Sequence, residues 1–316
     1  MVRQAVWALQ ESEIFAKLQT EVEPFFETGI AGTFLGKDQV ELAYRTFVLE
    51  NEKAALVLLP GRGEPIHKYA EVVYDLRVLG LSIYILEHRG QGESDLVEGV
   101  RSQFVQSYDD YVEDLDTFVR TVVKAKAHSK LFLLGHSMGG AIGTLYAAKY
   151  PGVLNGLILS APMFDMNTPP YSKKTARRLA QFICSIGMGK WTAAKDSFQV
   201  TSSQARNEMN IQVADKYSKV QWRNISYRWV LASLNALDAV QECSHKLTLP
   251  ILLLQAERDL HVPAEGQNRF CRNVASCEKV VVPNSFHEPL METDSIRNLS
   301  LAKIKKFTTS LLSSND

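Results

Sequence analysis

Short apolar runs, most of them separated by stretches with helical periodicity, constrain the fold of this chain more than any other feature. Runs of this length without polar alternation are typical of strands buried on both faces of a sheet. Between the first two runs, Ile66, Tyr69 and Val73 recur at helical spacing. This alternation predicts an α/β fold with a mainly parallel central sheet and helices on both faces. The runs are AALVLLP (54–60), LSIYILE (81–87), LFLLG (131–135), NGLILSAP (155–162), PILLLQA (250–256) and KVVVPN (279–284).

Two stretches depart from this alternation. Residues 32–49 contain two β-rich runs around the turn signal Gly36-Lys37-Asp38, which predicts an N-terminal antiparallel hairpin. Residues 163–248 show several helical patterns but no convincing apolar strand, which predicts a helical cap inserted above the sheet. The expected organisation is therefore a core domain of residues 1–162 and 249–316 with a cap of residues 163–248.

Composition excludes several classes of protein. The chain has 316 residues, 46% of them hydrophobic, and its 35 basic and 35 acidic side chains balance, so nucleic acid is not an expected partner. The start of the sequence lacks the apolar region of a signal peptide, and no uninterrupted apolar stretch is long enough to span a membrane. We expect a cytoplasmic protein, or one peripheral to the inner membrane face. The cysteines are expected to be buried, reduced thiols, namely Cys184, Cys243, Cys271 and Cys277.

One serine lies at a predicted sharp turn between a strand and a helix. Ser137 is the centre of the G-x-S-x-G stretch GHSMG, directly after the run LFLL and before the helical segment GGAIGTLYAAKY. A sharp turn from strand to helix needs glycine on both sides of the serine and displays the hydroxyl at the N-terminus of the helix. The pattern therefore predicts a nucleophile, and the alternative is a serine in a glycine-rich helix cap.

A nucleophilic serine needs a base and an acid, which in this arrangement follow it along the chain. His287 lies in the loop after the last apolar run and is the predicted base. His245 closes the cap region, and His261 shares a loop with the candidate acids. These are Asp259 and Glu257, which both follow the run of residues 250–256, and Asp259 has the better spacing.

The same reaction needs hydrogen-bond donors for the developing oxyanion. The backbone NH of Met138, the residue after the nucleophile, is one predicted donor. The glycine-flanked loop LLPGRGE (58–64) follows an earlier strand and offers the backbone NH of Arg62 as the other donor. The alternative for this loop is an ordinary turn.

Together these residues resemble the α/β-hydrolase superfamily and, within it, the group that contains bacterial lysophospholipase L2 and the monoacylglycerol lipases. The resemblance assigns Ser137 as nucleophile, Asp259 as acid and His287 as base, with the NH groups of Arg62 and Met138 as the oxyanion hole. It implies no cofactor and no metal. The stretches that carry it are PGRGEPIHKYAEVVYDL, EHRGQGES, GHSMGGAIGTL, SAPMF, LLLQAERDLHVP and SFHEPL.

The resemblance also implies an activity. It predicts hydrolysis of lipid esters through an acyl-enzyme, with lysophospholipids as the first substrate class. Pro60 stands where monoacylglycerol lipases tend to have histidine, which favours the lysophospholipase. The alternatives are a monoacylglycerol lipase, a general carboxylesterase or, in another class, a noncatalytic ligand-binding protein.

The cap adds one expectation about partners. A cluster of basic residues beside a helical apolar set is typical of helices that rest on anionic membranes, although a solvated outer face of the cap gives the same pattern. Peripheral membrane contact is therefore an open alternative, and the sequence leaves the oligomeric state undecided. The basic residues are Lys173, Lys174, Arg177 and Arg178.

Overall fold

The computed structural model describes residues 8–195, 199–219 and 222–313 of the chain. Its centre is an eight-stranded sheet with the spatial order β1-β2-β4-β3-β5-β6-β9-β10. Strand β2 runs antiparallel to both of its neighbours, β1 and β4, and the remaining neighbouring strands are parallel. The strands are β1 (Ile30–Leu35), β2 (Glu41–Phe47), β3 (Ala54–Leu59), β4 (Leu81–Leu86), β5 (Leu131–His136), β6 (Gly156–Ser160), β9 (Ile251–Ala256) and β10 (Cys277–Val282).

Helices cover both faces of this sheet because its central strands are apolar on both sides. In β3, Val57 and Leu59 pack towards α4 and α5, whereas Leu56 and Leu58 pack towards α3 and α10. Within the described ranges, no helix combines the length and the apolar content needed to cross a bilayer. The helices are α1 (Ile14–Lys17), α2 (Glu23–Glu27), α3 (Ala70–Leu76), α4 (Tyr108–Thr121), α5 (Met138–Lys149), α6 (Lys173–Ser185), α7 (Gln204–Tyr217), α8 (Tyr227–Cys243), α9 (Ala264–Asn273) and α10 (Asp294–Ser313).

The segment between β6 and β9 contains helices α6, α7 and α8, but it is not entirely helical as expected. It also forms a small antiparallel sheet of β7 (Thr192–Lys195) and β8 (Asn224–Ser226). These strands escaped sequence reasoning because TAAK and NIS are short, half exposed and without apolar alternation. The division of the chain into a core and a cap with the stated boundaries remains a prediction.

The expectation of four buried, reduced cysteines is wrong. Cys271 and Cys277 form a disulfide because the turn between α9 and β10 brings their Cα atoms to 5.4 Å. Cys184 and Cys243 are free thiols, and both are half-buried.

Candidate active site

The turn between β5 and α5 holds Ser137 in a backbone conformation that few side chains adopt. Its φ is 48° and its ψ is −114°, so the residue is strained. A Cβ atom on Gly135 would lie 2.5 Å from the carbonyl oxygen of Gly139, and one on Gly139 would lie 2.4 Å from that of Leu59. Both glycines are therefore required by close backbone contacts. The turn places the serine hydroxyl at the N-terminus of α5, where the helix dipole favours negative charge.

The three side chains predicted to cooperate lie in one hydrogen-bonded chain. Nε2 of His287 is 2.9 Å from Oγ of Ser137, and Nδ1 of His287 is 2.7 Å from Oδ2 of Asp259. The other carboxylate oxygen of Asp259 accepts the backbone NH groups of His261 at 2.8 Å and Val262 at 2.9 Å. Three separate loops at the carboxyl edge of the sheet thus fix the serine, the imidazole and the carboxylate.

The electrostatic environment suits a base that becomes charged during a reaction. Burial lowers the pKa of His287, but the carboxylate of Asp259, with smaller contributions from Glu288 and Glu64, outweighs burial and leaves that pKa above the usual range. Burial raises the pKa of Asp259, yet His287 and the two backbone NH groups bring it below the usual range. The carboxylate therefore stays ionised and stabilises an imidazolium.

The other candidates for acid and base occupy different positions. The carboxylate of Glu257 is exposed and accepts the backbone NH of Asn284 at 2.8 Å. His245 is exposed in a short 3-10 helix after α8. The ring of His261 stacks on that of His287, with 4.9 Å between the centroids and 29° between the planes. Of these residues, only His261 belongs to the site.

The loop after β3 is held by side chains on either side of Arg62. The backbone NH of Gly61 donates to Glu64 at 2.6 Å, and the backbone NH of Gly63 donates to Gln91 at 2.7 Å. The amide of Gln91 also donates to the carbonyl oxygen of Gly61 at 3.1 Å. Because β3 and β5 are parallel neighbours, this loop and the first turn of α5, which begins with Met138, lie at the same edge of the sheet.

Sequence reasoning missed a buried cluster next to this site. Ligand-type atoms of Glu64, His136 and Glu288 all lie within 4.8 Å of one another, which is a spacing suited to a metal ion. However, the ammonium group of Lys68 binds both carboxylates, at 2.8 Å to Glu64 and 2.6 Å to Glu288. An ammonium group of the protein thus already occupies the position between these two acids. The signal in the sequence was adjacency, because His136 precedes Ser137 and Glu288 follows His287.

Comparison with known proteins agrees with this architecture. Residues 50–294 match the protein family described as Serine aminopeptidase, S33. The chain belongs to this family of hydrolases. It is 30% identical to lysophospholipase L2 of Escherichia coli K12, over 96% of this chain and 95% of that protein. It is 28% identical to monoglyceride lipase of Mus musculus, over 81% of this chain and 82% of that protein.

Solved structures agree at the level of the fold. The chain superimposes on a soluble variant of monoglyceride lipase from Saccharomyces cerevisiae with a TM-score of 0.71 and 20% identity. The match covers 90% of this chain and 96% of the yeast protein. The predicted α/β-hydrolase fold and the predicted family resemblance are confirmed.

Proposed function

We propose that this protein is a serine hydrolase of lipid esters and, more specifically, a lysophospholipase. The observation that carries the proposal is the hydrogen-bonded chain from Ser137 through His287 to Asp259. Nucleophile, base and orienting acid in contact are the minimum set for acyl transfer through a covalent intermediate. A noncatalytic binding protein does not need these three groups in register.

In the proposed reaction, Oγ of Ser137 attacks the acyl carbonyl while Nε2 of His287 takes its proton. The backbone NH groups of Arg62 and Met138 stabilise the oxyanion, and Asp259 stabilises the imidazolium. The imidazolium then protonates the departing alcohol, which leaves an acyl-enzyme. Water attacks this ester with His287 again as base, which releases a fatty acid and restores the serine.

Two observations support a lipid as the substrate. The relative from Escherichia coli, which bears the name lysophospholipase L2, aligns over 96% of this chain. A shallow surface depression that is open to solvent also lies beside the loop of Asp259, and Tyr171 and Leu260 in its lining are 51% and 46% exposed. These exposed apolar side chains could contact a lipid, and the rest of the lining consists of Pro169, Pro170, Asn167 and Thr168.

A monoacylglycerol is the second candidate substrate, because the mouse relative bears the name monoglyceride lipase. The test compares fatty-acid release from lysophosphatidylethanolamine, lysophosphatidylcholine and monoacylglycerol. It uses the purified protein, Ser137→Ala and, as a control, Ser129→Ala, which changes an exposed serine. We expect faster release from the lysophospholipids, lost only in Ser137→Ala. Faster release from monoacylglycerol would mean that monoacylglycerol, and not a lysophospholipid, is the substrate. Failure of a fluorophosphonate to label Ser137 would favour a noncatalytic ligand-binding protein.

We also propose that α6 touches an anionic membrane surface and, separately, that the protein is cytoplasmic or peripheral to the inner membrane face. Lys174 and Arg178 are exposed one turn apart. Phe182 and Ile186 continue this line and are 61% and 48% exposed. Basic side chains that attract lipid headgroups beside exposed apolar side chains that insert below them are typical of interfacial helices.

The other two basic residues of this helix have protein partners. Lys173 binds Asp165 at 2.5 Å and Arg177 binds Asp238 at 2.6 Å. Sedimentation with phosphatidylglycerol vesicles tests the contact. Lys174→Gln/Arg178→Gln should lose binding, whereas Lys305→Gln/Lys306→Gln on α10 should retain it. Equal binding of the two double variants would contradict this role of α6.

A further inference from the structure

The buried side chain of Lys68 joins two loops that hold different parts of the candidate active site. Its ammonium donates to Oε1 of Glu64 at 2.8 Å and to Oε1 of Glu288 at 2.6 Å. The side chains of Lys68 and Glu288 are each 6% exposed, and that of Glu64 is 12% exposed. Glu64 belongs to the loop that contains Arg62, and Glu288 directly follows His287. One cation therefore bridges the oxyanion loop and the loop of the base.

Each carboxylate also anchors its own loop. The second oxygen of Glu64 accepts the backbone NH of Gly61 at 2.6 Å and the hydroxyl of Tyr69 at 2.6 Å. The second oxygen of Glu288 accepts the side-chain amide of Asn210, in α7, at 3.2 Å. The backbone NH of Glu288 donates to the carbonyl oxygen of Val200 at 3.0 Å. The cluster therefore lies where the oxyanion loop, the loop of the base and the segment between β6 and β9 meet.

Stability alone does not account for three buried charges. Replacement of buried ion clusters by apolar side chains is often neutral or stabilising, because desolvation offsets the Coulombic gain. Burial raises the pKa of Glu288 above its usual range despite the contact with Lys68. When both carboxylates are ionised, the cluster carries one excess negative charge, since two carboxylates face one ammonium. Such a charge stabilises a cation nearby, and the imidazole of His287 is next in sequence to Glu288.

We propose that Glu64, Lys68 and Glu288 are positioning residues for the reaction inferred above, on which this inference rests. They fix the oxyanion loop and the loop of His287 at one mutual distance, and their net negative charge supports the imidazolium that forms when Ser137 loses its proton. Lys68 therefore fixes the distance between the two loops, and Glu288 supplies the negative charge that stabilises the imidazolium. The two roles are separable by substitution.

The charge role predicts a shift in pH dependence. Glu288→Gln brings the cluster to zero net charge, so the imidazolium of His287 loses support and its pKa falls. The acid limb of kcat/KM should move to lower pH, by on the order of one unit. Among the described residues, the titratable and charged groups that face His287 are Asp259 and His261 after β9, His136 at the end of β5, Glu64 after β3 and Glu288 on its own loop. Lys68 lies between Glu64 and Glu288.

This substitution is compatible with the fold. Glutamine has the shape of glutamate, and its oxygen can still accept from Lys68. Oδ1 of Asn210 has no hydrogen-bond partner among the described residues. If the Asn210 amide rotates, this oxygen can accept a hydrogen bond from the NH₂ group of the new glutamine. Glu257→Gln is the matched control, because it removes an exposed carboxylate that binds Asn284 instead. Its acid limb should coincide with that of the unmodified protein.

The geometric role predicts a different result for Lys68→Met. Without the ammonium, the two carboxylates cannot both stay ionised, and one takes up a proton. The net charge of the cluster remains negative, so the acid limb should hold its position. The link between the loops is lost, however, and kcat should fall more than KM changes. Lys68→Arg, which can bridge both carboxylates, should restore most of kcat.

The experiment measures pH profiles of kcat and kcat/KM for all four variants, with circular dichroism as the check on folding. An unshifted acid limb in Glu288→Gln, or an unchanged kcat in folded Lys68→Met, would overturn the corresponding role. If Lys68→Met does not fold, Glu288→Gln still tests the charge. NMR titration of the His287 ring measures the same pKa shift without substrate. It therefore separates failure of this inference from failure of the proposed function, which Ser137→Ala and fluorophosphonate labelling detect.

Discussion

At the scale of single residues, the site depends on a strained serine and on an imidazole held between hydrogen-bond partners. The strain at Ser137 follows from its positive φ, and the neighbouring glycines are needed because backbone atoms approach them closely. His287 is bound on both ring nitrogens, by Asp259 on one side and the serine hydroxyl on the other. In the proposed reaction, the protonation state of His287 therefore decides whether the serine can lose its proton.

The raised pKa of His287 gives a signed prediction. The imidazole must be neutral to act as a base, and Asp259 keeps its pKa above the usual 6.5 despite burial. Activity should therefore disappear as the pH falls through a value above 6.5. The measurement is kcat/KM against pH in buffers of constant ionic strength. An acid limb well below 6.5 would show that a different group limits the reaction.

The sequence predicted some of the residues at this site, but it did not predict the contact between Lys68 and Glu288. Ser137, Asp259 and His287 each follow a predicted strand, and parallel strands deliver their carboxyl ends to one edge of the sheet. The contact between Lys68 and Glu288 joins residues 220 positions apart. This contact depends on the paths of two loops that are distant in sequence, and no local sequence pattern predicts those paths.

At the scale of elements, the apolar runs predicted the strands well where burial is complete. The run of residues 54–60 corresponds to β3 (Ala54–Leu59), and that of 250–256 to β9 (Ile251–Ala256). The last run, 279–284, began two residues too late because β10 opens with Cys277 and Glu278 at the partly exposed edge of the sheet. Strands that lack a buried face give a weak apolar signal.

The contact between α5 and the end of β3 predicts a sharp difference between two glycines of one helix. Gly139→Ala places a Cβ 2.4 Å from the carbonyl oxygen of Leu59 and must displace the loop after β3, which we propose to supply one oxyanion donor. We expect kcat to fall on the order of a hundredfold, as after loss of one oxyanion donor. Gly143→Ala, one turn later, meets side-chain ends rather than backbone at its closest contacts, with Cδ2 of Leu133 at 2.6 Å and Cδ1 of Leu157 at 3.5 Å. It should retain kcat, and equal losses in both variants would contradict this contact.

The link between α9 and β10 is tested by counting thiols. Protein unfolded without reductant and treated with iodoacetamide should gain two labels, at Cys184 and Cys243, because Cys271 and Cys277 are joined. Prior reduction should raise the count to four. Peptide mass spectrometry locates the labels. Four labels without reductant would mean that the purified protein lacks this disulfide.

At the scale of the whole molecule, one arginine connects three distant parts of the chain. The guanidinium of Arg206, in α7, binds Glu71 of α3 at 2.8 Å. It also donates to the carbonyl oxygens of Leu9 at 3.2 Å and Glu292 at 2.6 Å, and it contacts Asp294 at the start of α10. The N-terminal segment, the segment between β6 and β9 and the core are therefore tied at one buried point. Helix α7 is anchored to the core rather than free above it.

Removal of this tie should cost much of the stability of the protein. Arg206→Met leaves the carboxylate of Glu71 buried without its main partner, and we expect a loss of about 3–5 kcal/mol in the free energy of unfolding. Urea unfolding followed by circular dichroism measures it. Arg272→Met is the control, because its partner Glu265 is exposed and the pair contributes little. A loss in the control as large as that in Arg206→Met would contradict the importance of burial.

Strands β6 and β9 are hydrogen-bonded neighbours, with Leu157 opposite Ile251, although the whole segment with α6, α7 and α8 lies between them in the chain. A segment that leaves the sheet at one strand and returns at the adjacent strand can be lengthened, shortened or exchanged without a change in strand order. The sheet can therefore stay the same while the segment between β6 and β9 changes. We expect that a different segment can be grafted between these two strands if it supplies an arginine at the position of Arg206, because Glu71 of the core stays buried.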